Sequence, residues 1–126
     1  MQPPSFKKIY FASDQHFGAP TVVLSKPRQK LFVDWLDSIK TDAEAIFLLG
    51  DLFDFWFEYK KVVPKGFVRV LGKLAELRDS GIPIYFFVGN HDLWMHDYFQ
   101  TELDIPVYHD NKEFTYNEIG MHIGIK

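Results

Sequence analysis

Apolar positions along the chain follow two rhythms. Ile9-Tyr10-Phe11-Ala12, Ile46-Phe47-Leu48-Leu49 and Ile84-Tyr85-Phe86-Phe87-Val88 are short unbroken runs, the pattern of strands buried on both faces. Between the first two, Leu31, Phe32, Trp35, Leu36 and Ile39 recur at spacings of three and four, which predicts a helix with one buried stripe. Pro27 suits its first position. Between the second and third, Phe67, Val70, Leu71, Leu74 and Leu77 predict a helix from about Pro64 to Asp79, which Gly81 and Pro83 stop. The order βαβαβ predicts an α/β fold built on a predominantly parallel sheet with right-handed crossovers. Further on, the pattern predicts a short helix over Leu93–Phe99 and a short strand over Pro106–Tyr108. A hairpin follows, with strands at Phe114–Tyr116 and Met121–Ile125 and with Asn117 and Gly120 in its connection. The densest aromatic stretch, Phe53 to Tyr59, has no clear period and carries Asp54 and Glu58 among its rings.

Each strand run ends abruptly in polar residues. Ala12 leads into Ser13-Asp14-Gln15-His16, Leu49 into Gly50-Asp51, and Val88 into Gly89-Asn90-His91-Asp92. In open α/β sheets, ligands bind outside the carboxyl ends of the strands, so three clusters reach the same edge. Taken singly, each also fits a plain turn: an Asx-turn carboxylate beside a surface histidine, or a glycine that lets the chain bend before an aspartate cap. The ordered set, with a helical crossover between successive clusters, favours a shared site.

Composition narrows what that site can hold. With 126 residues, 47% of them hydrophobic and 25% charged, the chain predicts one soluble domain. A formal net charge of -3 with no basic stripe gives no case for nucleic-acid binding. The absence of cysteine excludes disulfides and thiolate metal sites, so a metal must be held by oxygen and imidazole nitrogen, which suits Mn, Fe, Zn or Mg. No apolar run reaches the length of a signal peptide or membrane span, and the expected location is the cytoplasm. Thirteen Phe, six Tyr and three Trp are a heavy aromatic load, some of it available to a ligand or partner.

Asp14 and His16, two apart on an extended segment, point to one side and suit a single cation. Two divalent ions roughly 3.5–4 Å apart need a bridging carboxylate, and Asp51 on the central run is the candidate. Asn90 offers a neutral oxygen to the second ion. His91 is left to stabilise the transition-state phosphate or protonate the leaving oxygen.

D-x-H, then G-D, then G-N-H-D, in this order and strand context, resembles the calcineurin-like metallophosphoesterase superfamily over nearly the whole chain. Within it, Gly50-Asp51-Leu52-Phe53-Asp54-Phe55-Trp56-Phe57 is similar to the UDP-2,3-diacylglucosamine hydrolases of lipid A synthesis, although that group usually has arginine where this chain has His91. The resemblance implies one half of an α/β sandwich and two divalent ions, manganese first among them. It also implies a pyrophosphatase that releases UMP from a UDP-linked lipid, with peripheral contact to the inner membrane. A phosphodiesterase or nucleotidase of the same superfamily, and a non-catalytic protein that binds metal or a partner, are the alternatives.

The superfamily pattern continues with G-H and H-x-H motifs that complete both ions. The tail Met121-His122-Ile123-Gly124-Ile125-Lys126 resembles the approach to the first of these, with Ile125 where a histidine belongs. His122 reads as a strand residue. The expectation is therefore an incompletely ligated metal pair with little hydrolase activity. A sheet face left uncovered at Phe11, Phe47 or Phe86 is also expected to drive self-association.

Overall fold

A computed structural model describes residues 7–116 and 119–123. Strands β1 (Lys8–Ala12), β2 (Ala43–Leu48), β3 (Ile84–Phe87) and β4 (Val107–Tyr108) form one parallel sheet in that spatial order. Helix α1 (Val22–Ile39) joins β1 to β2, α2 (Val68–Asp79) joins β2 to β3, and α3 (Tyr98–Leu103) precedes β4. Strands β5 (Lys112–Tyr116) and β6 (Ile119–Ile123) make a separate antiparallel hairpin. The predicted βαβαβ parallel sheet is present.

Strand alternation sorts the core into two layers. Ile46, Leu48, Ile84, Phe86 and Val88 pack with Phe32, Leu36 and Ile39 of α1, Val70, Leu74 and Leu77 of α2, and Phe99 of α3. Each such fully buried Phe, Leu or Ile contributes on the order of 1.5–3 kcal/mol. Ala45, Phe47 and Phe87 point to the other face, where Phe114, Tyr116 and Ile123 of the hairpin cover them. Phe47 stacks on Tyr85 and meets the edge of Phe114, with centroids 5.0 and 4.9 Å apart. The expected exposure of Phe47 and Phe86 is thus corrected: the hairpin covers Phe47, and Phe86 faces the helices. Phe11 alone of the three stays substantially exposed.

Several element boundaries also differ from expectation. Helix α1 begins at Val22 rather than Pro27, because Thr21 accepts the Leu24 N–H as its cap at 3.1 Å and Pro27 sits exposed within the helix. Its buried stripe runs Ser25, Gln29, Phe32, Leu36, Ile39, which turns Leu31 to solvent. Helix α2 starts at Val68, not Pro64, since Phe67 is drawn into the aromatic cluster at 5.0 Å from Phe53. The short helix expected over Leu93–Phe99 is shifted to Tyr98–Leu103, because the Glu58 carboxylate takes the N–H groups of His96 and Tyr98. In the hairpin, Gly120 lies within β6 opposite Thr115 instead of in the connection. Asn117, Gly124 and Ile125 lie outside the described residues.

Candidate metal centre

Past the end of the sheet, the loops continue the pairing of the strands that carry them. Asp14 donates its N–H to the Gly50 carbonyl at 3.1 Å, His16 to Asp51 at 2.9 Å and Phe17 to Leu52 at 2.9 Å. This ladder lays the first polar cluster alongside the second. Arg28 of α1 backs the same loop, donating to the carbonyls of Gln15, His16 (3.4 Å) and Ala19. Buried Ser25 accepts the Gly18 N–H at 3.0 Å.

Asp14, His16 and Asp51 have φ of 60°, 49° and 54°, in the left-handed region. The first segment is therefore not extended as expected. Left-handed geometry is uncommon for residues with a side chain, and its concentration at functional sites is well attested. Here the side chains still converge: His16 Nε2 lies 3.8 Å from Asp14 Oδ1, and donor atoms of Asp14, His16 and Asp51 all fall within 4.8 Å of one another.

The third cluster closes on the second through a pair of glycines. A Cβ on Gly89 would stand 2.3 Å from Asp51 Oδ1 and 2.6 Å from Asp51 N, and one on Gly50, at φ 91°, would stand 2.9 Å from Gly89 Cα. Only glycine permits that approach. Across it, His91 donates its N–H to Asp51 Oδ1 at 2.8 Å. Asp92, fully buried, accepts from the N–H groups of Gly89 (2.6 Å), Leu52 (3.0 Å) and Asp51 (3.3 Å). Burial pushes the Asp92 carboxyl above the ordinary carboxylate range, against the three amides that favour its anion. Asn90 sits exposed in the same turn, between Gly89 and His91, both of which approach Asp51.

His91 Nδ1 lies 2.8 Å from the Asp54 carbonyl and 3.6 Å from Asp54 Oδ1, while His16 Nδ1 lies 3.5 Å from that same carboxylate oxygen. The two imidazoles meet edge to face at 4.7 Å. Donor atoms of His16, Asp54 and His91 form a second group within 4.8 Å. His16 belongs to both groups.

Residues 7–125 match the family model described as calcineurin-like phosphoesterase. The chain belongs to that family. Among its relatives is the UDP-2,3-diacylglucosamine hydrolase of Porphyromonas gingivalis, 48% identical over 101 residues, which cover 80% of this chain and 38% of the relative. The protein of the same name from Haemophilus influenzae is 34% identical over 99 residues, covering 76% of this chain and 38% of its own length. The chain thus spans somewhat over a third of these relatives. A protein of unknown function from Aquifex aeolicus shares the fold, with a TM-score of 0.57 at 19% identity over 90% of this chain and 57% of that one.

The donor set of this calcineurin-like chain fits divalent cations. It combines carboxylate oxygens with imidazole nitrogens in two adjoining groups, on backbone bent into the left-handed region to bring them together. Of the residues singled out in the sequence, Asp14, His16, Asp51 and His91 are brought together, and Asn90 lies in the adjoining turn. Asp54 was not among them. The signal available for it was its position three residues beyond Asp51, hidden inside an aromatic run without a period. Asp92, the last residue of G-N-H-D, has its carboxylate in the backbone bonds that hold the loops together. His122 is a β6 residue, exposed and 3.7 Å from Glu113.

Proposed function

We propose that this chain carries Asp14, His16, Asp51 and Asn90 as the residues that would hold a two-cation centre in a phosphoester or pyrophosphate hydrolase. The observation that carries the reading is the pair of adjoining donor groups sharing His16, built on three left-handed residues. Asp54 joins the second group. Divalent cations, manganese first among them given the oxygen and nitrogen donors, supply positive charge against the phosphate and make water a better nucleophile. The Asp54 carbonyl can only accept, so His91 carries a proton on Nδ1, and it donates to a phosphate oxygen or the leaving oxygen from Nε2 when that nitrogen is protonated as well. Asp92 and the Gly50–Gly89 contact hold these groups in place.

The substrate we propose is a UDP-linked lipid, on the strength of the names of the relatives. A rim of exposed Phe55, Phe57, Leu93 and Trp94 beside the site supports an apolar substrate portion, and with Lys60, Lys61 and Lys65 it supports peripheral contact with a membrane from the cytoplasmic side. Among the described residues, no helix is long and apolar enough to cross one. Self-association belongs to the same proposal, supported by exposed Phe11 on the outer strand of the sheet.

Calorimetric titration with Mn2+ tests the centre: the chain binds, and Asp51→Ala does not. Undiminished binding by Asp51→Ala would overturn the assignment. For the substrate, a UDP-linked diacylglucosamine is expected to bind the Mn2+-loaded chain more tightly than UDP-glucosamine without acyl chains. Equal affinities would remove the lipid from the proposal.

A further inference from the structure

Three carboxylates are buried among the described residues: Asp51, Asp92 and Glu58. The first two lie within the candidate centre. Glu58 lies outside it, in the aromatic segment after β2, and a carboxylate there has to be compensated by hydrogen bonds. Three donors do so. Trp56 Nε1–H donates to Oε2 at 2.8 Å, the His96 N–H to Oε2 at 2.9 Å, and the Tyr98 N–H to Oε1 at 3.1 Å. One donor belongs to the segment of Glu58 itself and two to the segment that follows His91.

These two segments, residues 52–59 and 91–98, run side by side without belonging to the main sheet. They are joined along their length. At one end the Leu52 N–H donates to the Asp92 carboxylate at 3.0 Å and His91 Nδ1–H meets the Asp54 carbonyl at 2.8 Å, in the middle Phe57 and Trp94 form a single parallel bridge, and at the far end stands the Glu58 carboxylate, beside the Trp56–Tyr98 ring pair. Trp56 and Met95 are fully buried, whereas their chain neighbours Phe57 and Trp94 face outward. The alignment of the segments decides whether the Asp54 carbonyl reaches the His91 ring. An apolar side chain at 58 would fill the space as well but would fix no alignment.

We infer that Glu58 is a positioning residue for His91: it locks the two segments in the alignment that holds the ring by its Nδ1–H. Its importance for catalysis rests on the hydrolase reading, whereas its effect on the ring does not. A purely structural role, as an anchor for the start of α3, would change stability and leave the ring as it was.

The test uses the 126-residue chain with 15N-labelled histidine, reading the tautomer of each ring by long-range 1H–15N correlation and assigning His91 by its loss in His91→Gln. Glu58→Gln keeps the shape but replaces one acceptor oxygen with a donor, so at least one of the three N–H groups loses its partner. The parent is expected to show His91 protonated at Nδ1. Glu58→Gln is expected to shift it toward the Nε2–H form while His109 and His122 stay unchanged, and to weaken Mn2+ binding about tenfold. A folded Glu58→Gln protein with the parental His91 signals would overturn the inference. Should that variant fail to fold, Glu58→Asp, which keeps the charge on a shorter stem, is read in the same way, and a parental ring in it overturns the inference equally. Loss of Mn2+ binding in Asp51→Ala, measured alongside, reports on the metal centre separately from the ring.

Discussion

Carboxylates occupy both ends of the parallel sheet, and their partners differ. At the ends where the strands finish, Asp14 and Asp54 face the imidazoles of His16 and His91, while Asp51 and Asp92 accept from backbone amides. At the ends where the strands begin, Asp42 faces Lys8 and the Tyr10 hydroxyl, and Asp104 faces Arg78. On the helix surface, Asp37 is shared by Lys40 and Lys73. A carboxylate beside an ammonium has its countercharge already. Carboxylate oxygens beside imidazole nitrogens can instead share a divalent cation, which is the physical difference between a salt-bridged surface and a metal centre.

The comparison can be broken first at Gly89. Gly89→Ala drives a methyl group into Asp51 and its amide, and we expect a loss on the order of 3 kcal/mol by urea unfolding together with loss of Mn2+ binding. Retained binding would show that the two loops need not touch. Asp51→Ala comes next and separates function from stability. It removes a charge beside buried Asp92 but leaves the His91 N–H without its acceptor, so the apo melting temperature is expected to change little, while the stabilisation by added Mn2+ disappears.

At the other end, Arg78 donates to the carbonyls of Asp104 at 2.8 Å and Ile82 at 3.0 Å, tying the end of α2 to the approach to β4. Arg78→Ala is expected to cost about 1–2 kcal/mol and leave Mn2+ affinity unchanged. A drop in affinity would mean that the two ends are coupled.

The smallest effect is expected at Tyr10. Its hydroxyl donates to Asp42 Oδ1 at 2.7 Å, which holds the Asp42 carboxyl below its ordinary 3.8, with Lys8 assisting. The same bond, with burial, raises Tyr10 above its ordinary 10.0. The lowered carboxyl stabilises the fold above about pH 4 and loses that contribution as pH falls through its folded value; the raised phenol stabilises below pH 10 and loses it as pH climbs. Tyr10→Phe should therefore flatten both flanks of stability measured at about pH 3, 7 and 11. Flanks identical to the parent's would assign them to other groups.

The strands and the order of elements were legible because unbroken apolar runs alternate with stretches of helical period, and the site edge because polar residues interrupt three of those runs. Element starts were less so. The start of α1 depends on the Thr21 cap and that of α3 on a carboxylate forty residues away, neither of which leaves a trace in local periodicity. Asp54 escaped for a related reason: its place follows from loops pairing beyond the sheet, where neither the helical nor the strand rhythm applies. Phe86 was assigned the wrong face because a run buried on both sides gives no alternation to read.

The left-handed backbone at Asp14, His16 and Asp51 has an evolutionary consequence. Each such residue holds a conformation that glycine adopts freely, at a cost of about 1 kcal/mol. A laboratory population mutagenised and screened for heat resistance alone would be rewarded for glycine at positions 14, 16 and 51, and would discard the cation donors while leaving the aromatic core intact. Retention of side chains at those three positions through such a screen would require that metal be present during it.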